Sequence, residues 1–243
     1  MPDRLFADLE LAALYDAMCA GRGDFDFYLP LVMAAPAVLD VGCGTGELLI
    51  RARDSGHKGR LTGLDPSPGM LAQARRRADI EWILGDLSTA RWTNTFDLIL
   101  MTGHAFQVLL GDDDLRTALA AIRDALTPTG RFAFETRNPL VREWESWTPD
   151  KVGKVTAPDG TVVRMTHQVD AVAGDRVSFS HTFTSPSWPQ SEISHSTLRF
   201  LDAATLSKFL AEAGLAIDEQ FGDWNRERFT LTSPEIITIA KHA

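Results

Sequence analysis

The sequence predicts an α/β fold, a doubly wound sheet of seven strands with an antiparallel β insertion after the fifth, and three observations carry that prediction. Short apolar runs alternate with stretches of helical periodicity, the pattern of strands crossing over through helices. The first run, 37–41, feeds directly into the glycine-rich segment Gly42-Cys43-Gly44-Thr45-Gly46. Between about 138 and 200 the helical period vanishes, and β-rich runs are separated by turn signals before the alternation resumes.

Taken in order, residues 5–20 place Leu5, Leu9, Ala12 and Ala13 at helical spacing, which predicts one amphipathic N-terminal helix ended by Gly21 and Gly23. Strand 37–41 is followed by a helix over 47–55, with Leu48, Leu49 and Ala52 inward and Gly56 at its stop. Strand 60–64 precedes a helix capped by Ser67 with Pro68 in its first position, where a missing N–H costs nothing. Strands 80–84 and 96–101 come next. Asp112-Asp113-Asp114 then opens a helix whose stripe is Leu115, Ala118, Leu119, Ile122 and Leu126, negative charge suiting the positive end of the dipole. The turn 127–130 leads into strand 131–136.

Within the insertion, turns at Pro158-Asp159-Gly160, at 173–175 and at 185–189 divide about four strands. Asp202 caps the last helix, which buries Leu206, Phe209, Leu210 and Ala213 and closes at Gly214; two strands, 215–221 and 235–241, complete the sheet. The expected division is a main domain of 1–137 and 201–243, with 138–200 inserted.

The 243 residues carry a net charge of −9, which repels phosphate backbones and argues against a nucleic-acid substrate. The basic run Arg75-Arg76-Arg77 falls at a helix end, where a solvated face explains it. Cys19 and Cys43 form no Cys-x-x-Cys pair, so free thiols are expected. No apolar run approaches the roughly 20 residues of a membrane span, and the N-terminus lacks the pattern of a signal peptide. A cytoplasmic protein with no membrane partner is expected.

The chemistry concentrates in Asp40-Val41-Gly42-Cys43-Gly44-Thr45-Gly46. A P-loop would need Gly-Lys-Ser/Thr, and no lysine is present. The dinucleotide fingerprint is Gly-x-Gly-x-x-Gly, whereas here the spacing is Gly-x-Gly-x-Gly with an acid two positions earlier. Asp40 would repel a pyrophosphate but suits a ligand bearing an ammonium and a sulfonium, as S-adenosylmethionine does. Asp65 ends the second strand about 20 residues beyond the glycines, where acids grip ribose hydroxyls. Asp86 follows the third strand within reach of an adenine amino group. Either acid could instead serve as a cap or turn residue.

Val38 to Gly46, Gly63-Leu64-Asp65-Pro66-Ser67-Pro68-Gly69-Met70-Leu71, Gly85-Asp86 and Phe96-Asp97-Leu98-Ile99 together resemble the class I S-adenosylmethionine-dependent methyltransferases, whose sheet is Rossmann-like. The resemblance covers 37–136 and extends to the final strands. It implies S-adenosylmethionine as cofactor and S-adenosylhomocysteine as its product. It implies that Gly42, Cys43, Gly44 and Gly46 meet the methionine part and that Asp65, with Pro66 beside it, binds ribose. Gly85 and Asp86 would meet adenine, Met70 would pack on the ring, and Leu87 would meet it through its backbone. Met101 would border the cofactor from the fourth strand. Segments 14–16 and 26–30 are similar to the entry helices of small-molecule members, with Tyr15 either near the cofactor's carboxylate end or simply packing.

In such sheets ligands sit beyond the carboxyl ends of the strands, which points to residues 101–107 and 135–138. The fourth-strand loop lacks the Asn/Asp-Pro-Pro-Tyr signature of enzymes that methylate DNA amino groups or protein glutamine. Gly103-His104-Ala105-Phe106 instead resembles the Gly-Asn-Ser-Phe loop of small-amine methyltransferases, departing from it at His104. His104 is the candidate catalytic residue, orienting or deprotonating the acceptor; a histidine bonded to backbone is the alternative. His57, His167, His181, His195 and His242 show no metal-ligand spacing, and the three in the insertion are expected to be exposed strand residues. Trp144 and Trp147 either wall a pocket or pack the insertion onto the sheet. By analogy with amino-sugar enzymes, the insertion either covers the active site or forms a homodimer contact. The expected activity is methyl transfer to nitrogen or oxygen of a small molecule. The rivals are a cofactor-binding protein without that activity and an NAD-dependent dehydrogenase, which the glycine spacing disfavours.

Overall fold

In the computed structural model, which describes residues 3–157 and 160–243, the strands form two sheets. The main sheet runs β10-β11-β5-β4-β1-β2-β3. Its members are β1 (Ala37–Val41), β2 (Arg60–Asp65), β3 (Glu81–Leu84), β4 (Phe96–Met101), β5 (Leu126–Arg137), β10 (Leu215–Phe221) and β11 (Glu235–His242). Strands β1 to β5 pair in parallel, whereas β11 lies antiparallel between β5 and β10. The seven-stranded α/β sheet read from the sequence is therefore present, with its order reversing at β1 and β4, the place where such sheets hold ligands.

Helices cover both faces. On one, α7 (Asp112–Ala125) and α8 (Ala203–Glu212) bury Leu115, Leu119, Ile122, Leu206 and Leu210 against Leu39, Ile99, Phe132 and Phe134. On the other, α4 (Asp24–Ala34) and α5 (Glu47–Asp54) bury Phe27, Tyr28, Leu48 and Leu49 against Val38, Leu61, Leu100 and Ile237. The caps anticipated for α6 (Pro68–Ala74) and α8 are made, Ser67 accepting from the Met70 N–H and Asp202 from the Thr205 N–H.

The N-terminal segment departs from the single helix expected over 5–20. Among the described residues it forms three short turns, α1 (Arg4–Ala7), α2 (Leu9–Ala12) and α3 (Tyr15–Met18). Asp8 takes an extended backbone and its carboxylate accepts from the Glu10 and Leu11 N–H groups, so an N-cap restarts the chain where a continuous helix would need an interior residue. Leu9 is consequently exposed, and Leu5, Leu11 and Leu14 form the buried face. Strand β5 also begins earlier than 131: Leu126 leaves α7 and pairs with Phe96, and a register shift absorbs the 127–130 turn.

The insertion is a second, antiparallel sheet of β6 (Gly153–Thr156), β7 (Val162–Ala173), β8 (Arg176–Thr184) and β9 (Glu192–Arg199), matching the expected four strands. The turn read at 158–160 lies partly outside the described residues. Val155, Val163 and Phe183 on its inner face pack on Leu5, Leu11 and Leu14, so the sheet covers the N-terminal turns rather than standing free. His195 is exposed, as expected for an insertion histidine. His167 and His181 are not: they face one another across β7 and β8, half-buried among Trp147, Phe179 and Phe183. Period-two alternation puts them on the same face as Met165 and Phe183, which the packing of α1–α3 turns inward. Trp144 and Trp147 pack edge-on against Phe200 and Phe179, and the Arg137 guanidinium lies 5.3 Å from the Trp147 ring centre. No helix among the described residues is long and apolar enough to cross a membrane.

Candidate active site

Two adjoining cavities open at the carboxyl end of β1, β4 and β5, sharing Tyr15 and Arg22. The smaller is bounded by Asp40, Gly42, Cys43, Gly44, Thr45 and Thr102, with Phe25 and Leu48 from the helices beneath. The chain reaches this shape because Gly42 and Cys43 donate their N–H groups to Leu64 O and the Gly46 N–H returns to Cys43 O, winding the loop tightly onto β2. Gly44 has φ +56°, and a Cβ there would meet nothing within 4 Å, so its bare face looks into open space. Asp65 fastens the loop from the neighbouring strand, accepting from Gly44 N and Ser67 N at 2.8 Å each. Thr45 donates to Asp16, which ties α3 across the top.

Asp40 is 1% exposed, and its Oδ1 is buried without a hydrogen-bond partner among the described residues. Burial pushes its carboxyl up to about 7. Such a group in a cavity wall calls for a cationic guest. Across the same cavity the Arg22 guanidinium, paired with Asp24, offers charge to an anionic one. An unpartnered carboxylate and a guanidinium facing one space match the ammonium and carboxylate of a methionine moiety, and Gly44 leaves room for it. The residues present therefore fit S-adenosylmethionine.

The remaining candidates fall at graded distances. Asp86 is exposed, and its Oδ1 accepts from Ser88 N, Ser88 Oγ and Thr89 N, the turn role weighed as its alternative; Oδ2 takes no protein donor among the described residues. Gly85 joins it to the end of β3, and Pro66 is exposed beyond Asp65. Met70, Leu87 and Met101 are buried and line neither cavity; Leu87 and Met101 belong to the core under α7. Gly46 closes on Trp82 rather than on open space.

The larger cavity, of about 410 Å³, is lined by Asp24, His104, Glu135, Arg137, Trp224 and Glu235 together with Cys19. His104 takes a left-handed backbone, φ +62°, and its N–H donates to Glu135 Oε1 at 2.7 Å. Glu135 is wholly buried; its other oxygen accepts from the Tyr28 hydroxyl, and burial raises its carboxyl. The His104 ring is not bonded to backbone. Its Nε2 lies 3.1 Å from both oxygens of Glu235. Burial, then Arg137, lowers the imidazole to about 4, and burial raises Glu235 to about 8. Gln107, also buried, donates to Arg199 O at the end of β9 and accepts from Arg137, so this loop is tied to the insertion as well.

Glu135→Ala would leave the Tyr28 hydroxyl and the His104 N–H without an acceptor. It should lower stability by about 2–4 kcal/mol, read as a drop in the urea midpoint, while Glu135→Gln keeps one acceptor and loses less.

Arg22, Asp24, Trp224 and Glu235 had not been singled out from sequence. One signal was available for Glu235: it opens the β-branched run Ile236-Ile237-Thr238-Ile239, and an acid at the start of such a strand is conspicuous.

Comparison with known proteins accords with this geometry. Residues 38–130 match the family model of a methyltransferase domain. The chain is 30% identical over 193 residues to a dTDP-3-amino-3,6-dideoxy-α-D-glucopyranose N,N-dimethyltransferase of Streptomyces fradiae, covering 73% of this chain and 72% of that one. It is 28% identical over 221 residues to a glycine/sarcosine N-methyltransferase of Parasynechococcus marenigrum (strain WH8102), covering 88% and 74%. Among solved structures, the CcbJ methyltransferase from Streptomyces caelestis superposes with a TM-score of 0.78 over the whole of both chains at 22% identity, a likeness of fold.

Proposed function

The chain belongs to the class I S-adenosylmethionine-dependent methyltransferases, and from that membership we propose that it methylates the nitrogen of a small-molecule amine held in the larger cavity. S-adenosylmethionine is its cofactor and supplies, when bound, a methyl group already activated by a sulfonium. The observation that carries the amine reading is the convergence of three carboxylates, Asp24, Glu135 and Glu235, on one cavity with Trp224 and Tyr15 in its wall. Carboxylates and aromatic faces attract a cation, and the two guanidiniums in the same wall, Arg22 and Arg137, are already paired with Asp24 and Glu143. Two relatives whose names specify N-methylation support it.

Asp40 would hold the cofactor's ammonium and Arg22 its carboxylate, with Tyr15 closing over them. Asp65 and Pro66 would border the ribose, and Gly85, Asp86, Leu87 and Met70 the adenine. This chain's contribution to the chemistry is positioning and exclusion of water. His104, neutral and fixed at both its backbone and Nε2, would orient the acceptor nitrogen through Nδ1, which takes no partner among the described residues. The inserted sheet, resting on the N-terminal turns that carry Tyr15, would serve as their cover.

Transfer of labelled methyl groups to a panel of small amines, phenols and carboxylic acids tests the reading: incorporation is expected in amines, and label in phenols or acids alone would overturn it. His104→Ala should lower kcat about 10- to 100-fold with cofactor affinity within about twofold, the scale of one lost orienting or proton-transfer contact. Full turnover would remove His104 from the mechanism.

A further inference from the structure

We infer that Glu235 is the residue that receives the acceptor's proton, with the His104 ring as the bridge between the two. This rests on the amine reading above, since only an acceptor that arrives as an ammonium must shed a proton before it can attack.

The geometry is specific to where β11 begins. This strand runs antiparallel to β5, so its first residue, not its last, lies at the edge where the parallel strands present their ligands. Glu235 sits there opposite Arg137, lines the acceptor cavity and holds both oxygens at hydrogen-bond distance from His104 Nε2. With Nε2 engaged, Nδ1 is the ring nitrogen left for a guest.

The step balances without an imidazolium. While Glu235 is a carboxylate, Nε2 carries the ring proton and donates it, leaving a lone pair on Nδ1. An ammonium N–H gives its proton to Nδ1 as the Nε2 proton passes to a Glu235 oxygen. The histidine is neutral before and after, and Glu235 ends as the acid. The freed amine lone pair would then be available to form the N–C bond to the methyl group that bound S-adenosylmethionine supplies, the C–S electron pair staying on sulfur. Burial disfavours both a charged imidazole and a lone carboxylate, so the proton has reason to rest on Glu235.

The groups facing this couple come from four directions: Arg137 and Glu135 on β5, Glu143 from the turn after it, Asp24 and Tyr28 on α4, and Arg22 beside them. Arg137 is itself paired with Glu143, and Arg22 with Asp24, which leaves Glu135 and Glu235 as the acids of this cavity without an ion-paired guanidinium among the described residues. Glu135 is committed to the Tyr28 hydroxyl and the His104 N–H. Glu235 has the capacity to spare.

The test is kcat/KM for the best amine of the panel from pH 6 to 10, in the wild-type chain, Glu235→Gln and Glu235→Asp, with cofactor affinity measured by calorimetry alongside. The wild-type profile should rise through about pH 8, where Glu235 becomes a carboxylate, and fall above the amine's own pKa. Glu235→Gln should lose about 100-fold near pH 8, the scale of a missing general base. Its deficit should shrink steadily towards pH 10 as the amine arrives already deprotonated. Glu235→Asp should recover part of the activity with the acid limb intact. A deficit of equal size at every pH, a matching loss of cofactor affinity, or no deficit would each overturn the assignment. A wild-type chain that methylates no amine at any pH would fail at the earlier step and take the amine reading down with it.

Discussion

Asp40→Asn is expected to make the cofactor-free protein more stable and the cofactor site much weaker. Asp40 is 1% exposed with an oxygen that no group among the described residues satisfies, and burial raises its carboxyl from 3.8 to about 7. The folded chain therefore binds this proton more tightly than the unfolded chain does. The stability it contributes is complete below about pH 4 and is lost as pH rises through 7. At pH 8 the empty protein carries a buried, unpaired charge, and a neutral amide of the same shape removes it. The gain should be about 1–3 kcal/mol, or roughly 3–8 °C in Tm for a chain of this size. The gap should narrow from pH 7 downwards and close by about pH 4, where Asp40 is protonated in the folded and the unfolded chain alike. Over the same change, loss of the charge opposite the ammonium should weaken S-adenosylmethionine binding by roughly 100-fold or more. A variant that binds normally at pH 8, or one no more stable than wild type, would show that Asp40 has a partner other than the cofactor.

Asp40, Gly42, Cys43 and Gly44, which the structure brings together around the smaller cavity, were legible as a group in the sequence. Their chemistry is local. Asp40, the three glycines and Asp65 lie within one β-α-β stretch, and an acid before a glycine loop breaks the local rule in a way only a cationic ligand repairs. The caps at Ser67 and Asp202 and the acidic start of α7 were legible for the same reason, each acting within one helical turn. The larger cavity is built from distant pairs. Tyr28 meets Glu135 across 107 residues and His104 meets Glu235 across 131, and the second bond depends on where β11 enters the sheet. No periodicity reports that register. The N-terminal helix failed on a smaller scale, because Asp8 offers its carboxylate to two N–H groups and apolar spacing does not register that competition. His167 and His181 looked like exposed strand residues because the face they occupy is turned inward only by the packing of α1–α3.

Gly46→Ala should be the most damaging single methyl group added to the loop. Gly46 has φ +77°, and a Cβ there would stand 2.2 Å from Trp82 Cη2 and 2.7 Å from Cζ3. The indole is held from two sides. Its Nε1–H is bonded to Arg77 O, and its six-membered ring is also pressed on Gly63, where a Cβ would come within 2.5 Å of it. The loop must therefore move, and its movement drags the Gly44 N–H away from Asp65 and the Gly42 N–H from Leu64 O. Left-handed strain and overpacking together should cost about 2–5 kcal/mol, and S-adenosylmethionine affinity should fall by roughly 100-fold or more as the cradle opens. Gly44→Ala separates the two causes. Its Cβ meets nothing, so stability should fall only by the strain of its φ, about 1–2 kcal/mol, while the methyl group projects into space the cofactor needs. The decisive comparison is Gly46→Ala in a Trp82→Leu background. If the indole is the obstacle, the second substitution returns most of the stability that the first removes, and the pair is strongly non-additive. If the two losses simply add, the backbone conformation of Gly46 alone accounts for the damage, and Trp82 is a bystander in the shape of the loop.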